Sequence, residues 1–320
     1  MKETIPPHNS PLSACEAWLI ATRPKTLPLA LSGILIAASM AAARGYFRWD
    51  IFLLSALTAL SFQVLANWSN DYGDALKGAD NAARPAPRRA VASGAITAQH
   101  LLRAIISLSL GSFLLALLLI FTAFDGAHWH KILLFICLGA ASVWAALAYT
   151  MGKSPYGYRA RGDLYVFMFF GLIAVQGGYY LYDHTFLFLN FFPASAIGCF
   201  SVGVLNLNNL RDCDSDKVVG KHTLVVKIGF EKSKLYQFLL VSLPYFSTLI
   251  YNVLLRRHSL SYLFLLSFIP VVQHMRNVFQ ARDPLVLAPE LPRLALIALS
   301  FSVLFALGEL LSAVPVLNGV

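Results

Sequence analysis

Six of the sixteen acidic residues in this 320-residue chain fall in two short stretches. Asp71, Asp74 and Asp80 lie in NWSNDYGDALKGAD; Asp212, Asp214 and Asp216 lie in NLNNLRDCDSDKVVGKHT. A helix continued past Trp68 puts Asn67, Asn70, Asp71 and Asp74 on one face at i, i+3, i+4 and i+7, and Asn208, Asp212 and Asp216 align in the same way at i, i+4 and i+8. Asn70-xxx-Asp74 is echoed by Asn208-xxx-Asp212, which hints at two related halves. Carboxylates and amide oxygens are hard ligands suited to Mg²⁺, a cation that binds diphosphate oxygens while keeping several waters. Basic residues accompany each cluster: Lys77, Arg84, Arg88 and Arg89 beside the first, Arg211, Lys217 and Lys221 beside the second. Carboxylates that hold a cation, together with lysines and arginines that neutralise a leaving group, point to phosphoryl or diphosphate chemistry. Charges that were only solvated in loops would not repeat Asn-xxx-Asp at both places.

The elements that carry these clusters must cross a membrane. The chain is 58% hydrophobic and 13% charged, with a mean hydropathy of +0.64, against roughly 25% charged in soluble domains. So little charge cannot cover a water-facing surface, which excludes a soluble enzyme, a disordered chain and a fibrous repeat. Apolar stretches of about 20 residues, the length needed to span a bilayer, recur nine times: 27–43, 50–68, 101–124, 132–150, 163–182, 185–207, 235–255, 260–280 and 293–314. The expected fold is an all-α membrane protein, one polytopic domain over residues 1–320 with a cytoplasmic N-terminal tail at 1–20. A cytoplasmic N-terminus leaves only Arg44, Arg48, Lys131, Arg256 and Arg257 of the 25 Lys and Arg on the outer side, a strong positive-inside bias. The net charge of +9 is therefore read as topology, and a nucleic-acid partner is not expected. Both acidic clusters then sit at the inner ends of spans two and six, next to the two longest inner connections. The four cysteines are scattered without ligand spacing, so neither a disulfide framework nor a zinc site is expected.

At these residues the chain resembles the UbiA-type intramembrane prenyltransferases, and within them the 1,4-dihydroxy-2-naphthoate polyprenyltransferases of menaquinone synthesis. The likeness is carried by ATRPKTLPLALSG at 21–33, NDYGDALKGAD at 70–80 with RRAVASGAI at 88–96, YTMGKSPYGYRARGD at 149–163, and NNLRDCDSDKVVGKHTLVVKIG at 208–229. It implies nine transmembrane helices around a central cavity open to lipid, with a cap on the inner side and the active site toward the cytoplasm. It also implies a metal site for Mg²⁺ made of Asp74, Asp80, Asp212 and Asp216 with Asn70, these four aspartates being the catalytic set. The implied substrates are a polyprenyl diphosphate and an aromatic acid, with the prenyl tail in membrane lipid. Two stretches depart from the family pattern: ADNAARPAPR at 79–88, and MGKSP at 151–155, where Lys153 stands in place of an arginine nearer the proline.

The remaining polar residues divide by position. Arg23 and Lys25 precede the first span and suit either membrane anchoring or the diphosphate; the resemblance tips Arg23 toward the diphosphate. Lys77, Asn208 and Lys221 join the expected substrate contacts. Lys153, Tyr156, Arg159 and Arg161, in the inner loop after span four, are equally surface charges or the cations that close over an aromatic carboxylate. Glu309 is expected at the outer interface. Gln63, Gln176 and Gln273 are expected to make interhelical hydrogen bonds. Within the family the acceptor could instead be 4-hydroxybenzoate or homogentisate. A secondary transporter is the reading from another class, but its carboxylates belong near the midplane. The single Asp-rich signature of CDP-alcohol phosphotransferases is absent.

Overall fold

The computed structural model describes residues 13–79, 89–124 and 128–317, with side chains through 313. All regular structure among them is helical: α1 Ala14–Thr22, α2 Leu27–Ala42, α3 Trp49–Leu76, α4 Ala98–Ala123, α5 Trp129–Ala148, α6 Gly162–Val166, α7 Gly178–Asp183, α8 Phe191–Arg211, α9 Cys213–Val218, α10 Leu224–Ile228, α11 Phe230–Leu254, α12 Phe268–Gln280 and α13 Glu290–Leu317. Within the described residues, eight stretches are long and apolar enough to cross a membrane. The remaining expected span, 260–280, is two pieces, a 3₁₀ segment Ser259–Ser267 followed by the 13-residue α12. Its second piece carries His274, Arg276 and Asn277 and has a polar side, which is why it falls short of a uniformly apolar span.

Lipid-facing and core-facing sides separate cleanly. On α4, Ile106, Leu110, Leu114 and Leu118 are exposed at i, i+4 spacing, while Leu101, Ile105, Ser112 and Ala116 are buried, as a helix with one face in lipid requires. In contrast, α8 is buried almost all round from Pro193 to Arg211, which makes it the central helix. Its packing against α6–α7 depends on missing side chains: a Cβ on Gly171 would lie 2.7 Å from the Ala194 carbonyl oxygen and the Gly198 Cα. A buried hydrogen-bond chain ties α8 to the last helices. Asn206 donates to Gln237 Oε1 at 2.9 Å, Gln237 meets His274 at 3.3 Å, and His274 meets Glu290 at 2.6 Å.

Three departures from the expected spans have local causes. Residues 14–20, expected as tail, belong to α1, which is started by a capping box in which Ser13 and Glu16 satisfy each other's backbone amides. α1 ends at Arg23 in the left-handed conformation (φ 52°, ψ 59°) because Pro24 follows, and a residue before proline is pushed out of the right-handed helix. Between α6 and α7 the chain is a π-helix, Phe167–Gly177, a wide turn that often accompanies functional sites.

α3 approaches the end of α5 so closely that a Cβ on Gly73 would lie 2.7 Å from the Thr150 carbonyl oxygen and side chain. Replacing Gly73 by Ala must move backbone, so Gly73→Ala is expected to lower stability by about 1–3 kcal/mol, read as an earlier thermal unfolding midpoint in detergent. An unchanged midpoint would mean that this contact is loose.

Candidate active site

α3 stays helical to Leu76, so Asn67, Asn70, Asp71 and Asp74 do share a face. The second stripe is bent: α8 stops at Arg211 and α9 starts at Cys213, with Asp212 between them. Helical spacing still persists, since the Asp212 amide donates to Asn208 at 3.1 Å and the Asp216 amide donates to Asp212 at 2.8 Å. Asp71, Asp74, Asp212 and Asp216 are all at most 6% exposed, whereas Asp214 faces solvent. Four buried carboxylates at one end of the bundle are not solvated loop charges, and each has a cation beside it, as burial of charge demands.

The pairings connect the two clusters. Lys221 Nζ, itself buried, lies 3.4 Å from Asp74 Oδ2 and 3.7 Å from Asp216 Oδ1, so one ammonium joins α3 to α9. Tyr158 donates to Asp74 Oδ1 at 2.9 Å, and its ring lies under both Lys221 and Lys77, at 5.1 and 5.5 Å. Lys77 also donates to the Thr150 carbonyl at 2.8 Å. Arg211 binds Asp212 through two nitrogens, at 2.6 and 2.7 Å, and also donates to Asn208 Oδ1 at 2.8 Å. Asp71 takes both Arg23, at 2.7 Å, and Arg89. The left-handed turn at Arg23, which breaks the first span, thus brings its guanidinium to α3.

Beside these residues runs a cavity of about 980 Å³. Its polar end is lined by Arg23, Asn70, Arg89, Asn208 and Arg211. Away from that end the walls are mainly apolar, from Leu29, Ile34 and Phe62 to Leu119, Ile120, Phe135 and Leu181, with Ser55, Thr58 and Gln63 of α3 among them. The π-helix supplies Phe169 and Phe170 to this wall, while Phe167 packs on Gly198 instead. Tyr149 and Tyr156 also line it. Burial first, then the neighbouring Tyr156 and Asp74, push the Tyr149 phenol well above its usual range, so it stays protonated and able to donate. Burial raises Tyr156 likewise.

The expected site residues are thus distributed unevenly. Asp74, Asp216 and Lys221 meet; Asp212 and Asn208 are joined through Arg211; Arg23, Asn70 and Asn208 line the cavity. Asp80 lies outside the described residues. Lys153, Arg159 and Arg161 are exposed and do not line the cavity. The loop explains why: it turns at Gly152 (φ 86°) and Ala160 (φ 53°) and is tied to Tyr149 by the Gly157 amide at 3.0 Å, which sends Tyr156 and Tyr158 inward and the three cations outward. Gln176 makes the expected interhelical hydrogen bond only to the backbone of Leu187, and Gln273 bonds Asn277 within its own helix. From the sequence, Arg89 and Arg211 are named only among the basic residues that accompany each cluster, and Tyr158 not at all, although all three lie inside the quoted motifs.

The donor set suits a hard divalent cation. Asn70 Oδ1 is buried without a hydrogen-bond partner on the cavity wall, one turn before Asp74, and an amide oxygen accepts a cation or a donor but not a phosphate oxygen. Lys221 already places a positive charge between carboxylates of the two motifs. Among the described residues no three His, Cys, Asp or Glu side chains converge as they stand.

The model of the UbiA prenyltransferase family matches residues 30–286. A 1,4-dihydroxy-2-naphthoate octaprenyltransferase of Escherichia coli (strain K12) is 39% identical over 302 residues, 94% of this chain and 97% of that protein. The protein of that description from Haemophilus influenzae is 37% identical, over 92% and 96% of the two chains. A solved structure of digeranylgeranylglyceryl phosphate synthase shares the fold with a TM-score of 0.56 at 17% identity, covering 93% of this chain and 99% of that one. With eight long apolar helices among the described residues, buried aspartates from both motifs and this extent of sequence agreement, the chain is a multi-pass membrane enzyme that belongs to the UbiA prenyltransferase family.

Proposed function

We propose that the protein transfers a polyprenyl group from a polyprenyl diphosphate to 1,4-dihydroxy-2-naphthoate with decarboxylation, giving demethylmenaquinone in its quinol form, with diphosphate and CO₂ as the other products. The observation that carries this reading is the polarity of the cavity: its cations are Arg23, Lys25, Arg89 and Arg211, accompanied by Asn67, Asn70 and Asn208, and the rest of its wall is mainly apolar and aromatic. The naphthoate acceptor is taken from relatives of that description aligned over more than nine-tenths of both chains.

The residues divide the work by charge. The prenyl chain lies along Leu29, Ile34, Phe62 and Leu119, where water is excluded. Arg23, Arg89 and Arg211 meet diphosphate oxygens, because guanidinium forks match phosphate geometry. Asp74, Asp212 and Asp216 with Asn70 are the residues that would hold Mg²⁺, with Asp80 as the further aspartate of the first motif; bound there, the ion supplies the positive charge that offsets the diphosphate. The allylic C–O bond breaks and its electron pair leaves with the diphosphate. The ring carbon bearing the carboxylate forms the new C–C bond, and the pair from the broken C–CO₂ bond restores the ring. Phe169 and Phe170 present aromatic faces to a cationic carbon. Tyr149 stays a neutral donor at the polar end.

The acidic end is assigned to the cytoplasmic side of the inner membrane, as is the N-terminus. In a background with the exposed Cys15 and Cys137 changed to Ser, a cysteine at the exposed Ala92 should react only with reagents that reach the cytoplasm. One at the exposed His128 should react only from outside. The opposite labelling would reverse the orientation.

The function itself is tested by giving purified protein a polyprenyl diphosphate and 1,4-dihydroxy-2-naphthoate and identifying the product. Demethylmenaquinol, which air oxidises to demethylmenaquinone during work-up, is expected; ion flux in liposomes with no prenylated product would return the transporter reading.

A further inference from the structure

At the end of the bundle opposite the aspartates, a second cavity of about 360 Å³ is lined by Met40, Arg44, Tyr179, Leu187–Asn190, Tyr251, Leu255 and Arg257. Four separate stretches of chain meet there, and the large cavity has none of these residues in its walls. The sequence placed Arg44 and Arg257 among the few cations on this side, where the positive-inside pattern disfavours them. Arg257 is turned back onto the bundle rather than left in solvent: Arg256 takes a left-handed conformation (φ 51°) and the Arg257 amide donates to the Asn252 carbonyl at 2.9 Å. Glu309, expected at the interface, is instead 1% exposed and accepts from Arg257 at 2.6 Å. The lining itself holds these two arginines and no carboxylate; Glu309 pairs with Arg257, and Asp183 accepts from the hydroxyl of Tyr179.

A second, independent feature calls for an acceptor. Asn190 is 3% exposed, and its side-chain nitrogen has no hydrogen-bond partner. A buried donor left unmet is costly, and Asn190 belongs to the lining of a cavity that also holds two arginines. The surroundings set the depth: Trp49, Trp129, Phe186 and Phe188 are strongly exposed at this end, as aromatic residues at a membrane interface are. Phe188 and Leu255 form an apolar rim, and Val253 and Leu254 continue the exposed apolar surface along α11.

We propose that this cavity binds the phosphate of an anionic membrane phospholipid, its phosphodiester oxygens meeting Arg44, Arg257 and the Asn190 amide while the acyl chains run down α11. Two arginines and no carboxylate in the lining suit a headgroup of net negative charge. A free phosphate ion offers the same oxygens but nothing for the apolar rim. This inference does not depend on which aromatic acceptor the enzyme uses.

Native mass spectrometry of the full-length protein in detergent tests it, with separate titrations of dioleoylphosphatidylglycerol, dioleoylphosphatidylcholine and inorganic phosphate. One phosphatidylglycerol should be retained, phosphatidylcholine about tenfold less strongly, and inorganic phosphate not at all. Arg44→Ala, at an exposed position, and Asn190→Leu should each weaken phosphatidylglycerol retention about tenfold, while prenyl transfer in detergent stays unchanged. Equal retention of the two lipids, a phosphate adduct that needs no lipid, or wild-type retention by Arg44→Ala would each overturn the proposal.

Discussion

Asp74→Asn is expected to lower turnover by about 10³-fold, the scale on which removing a single electrostatic group from a preorganised site acts. Its carboxylate receives Tyr158 and Lys221 and stands opposite Asp216 through that lysine. An amide keeps the shape but removes the charge that a divalent ion needs. Asp212→Asn should do the same, because one motif alone leaves the diphosphate charge half-offset. Tyr158→Phe is the graded control: it deletes one hydrogen bond to Asp74, worth about 0.5–1.5 kcal/mol, so its loss should stay within roughly tenfold. Steady-state assays over a range of Mg²⁺, with circular dichroism to show intact helices, separate these cases. Wild-type rates for Asp74→Asn would remove the aspartate motifs from the chemistry.

Asp71→Asn should cost about 3–5 kcal/mol of stability, as breaking a buried ion pair by removing one partner generally does. Asp71 is fully buried and holds two arginines, of which Arg89 is only 5% exposed. Without the carboxylate both guanidinium groups lose their fixed position at the polar end of the cavity. The KM for the prenyl diphosphate should therefore rise about 10- to 150-fold, the equivalent of a charge-assisted hydrogen bond at about 1.5–3 kcal/mol. Adding Arg89→Met to Asp71→Asn should restore much of the stability, since the stranded charge is gone, but not the diphosphate KM. A double variant that recovers both would make Asp71 and Arg89 purely structural.

Much of this arrangement was legible in the sequence because it is written in apolar length and in spacing. The spans on α3, α4, α5 and α11 follow from hydropathy alone, and the face shared by Asn67, Asn70, Asp71 and Asp74 follows from helical period. What spacing could not say is which cation each aspartate meets. Asp71 and Asp74 look alike in sequence, yet one anchors Arg23 and Arg89 while the other meets Lys221 from the far half of the chain. Such pairings are set by long-range packing. Backbone departures were equally hidden. The left-handed Arg23 and the eleven-residue π-helix at Phe167–Gly177 have no signature in hydropathy, although Pro24 follows the first and Gly171 and Gly177 lie in the second. The loop at 151–161 left two readings equal, surface charges or an acceptor clamp; its turns at Gly152 and Ala160 face the tyrosines inward and Lys153, Arg159 and Arg161 outward, which accords with the first.

The fate of the acceptor carboxylate distinguishes the naphthoate reaction from prenylation of 4-hydroxybenzoate, which retains its carboxyl group. Purified protein with Mg²⁺, a polyprenyl diphosphate and carboxyl-labelled 1,4-dihydroxy-2-naphthoate should release labelled CO₂ in equal amount to the prenylated product, and 4-hydroxybenzoate should not be consumed. A product that keeps the label, or preferential prenylation of 4-hydroxybenzoate, would contradict the proposed reaction.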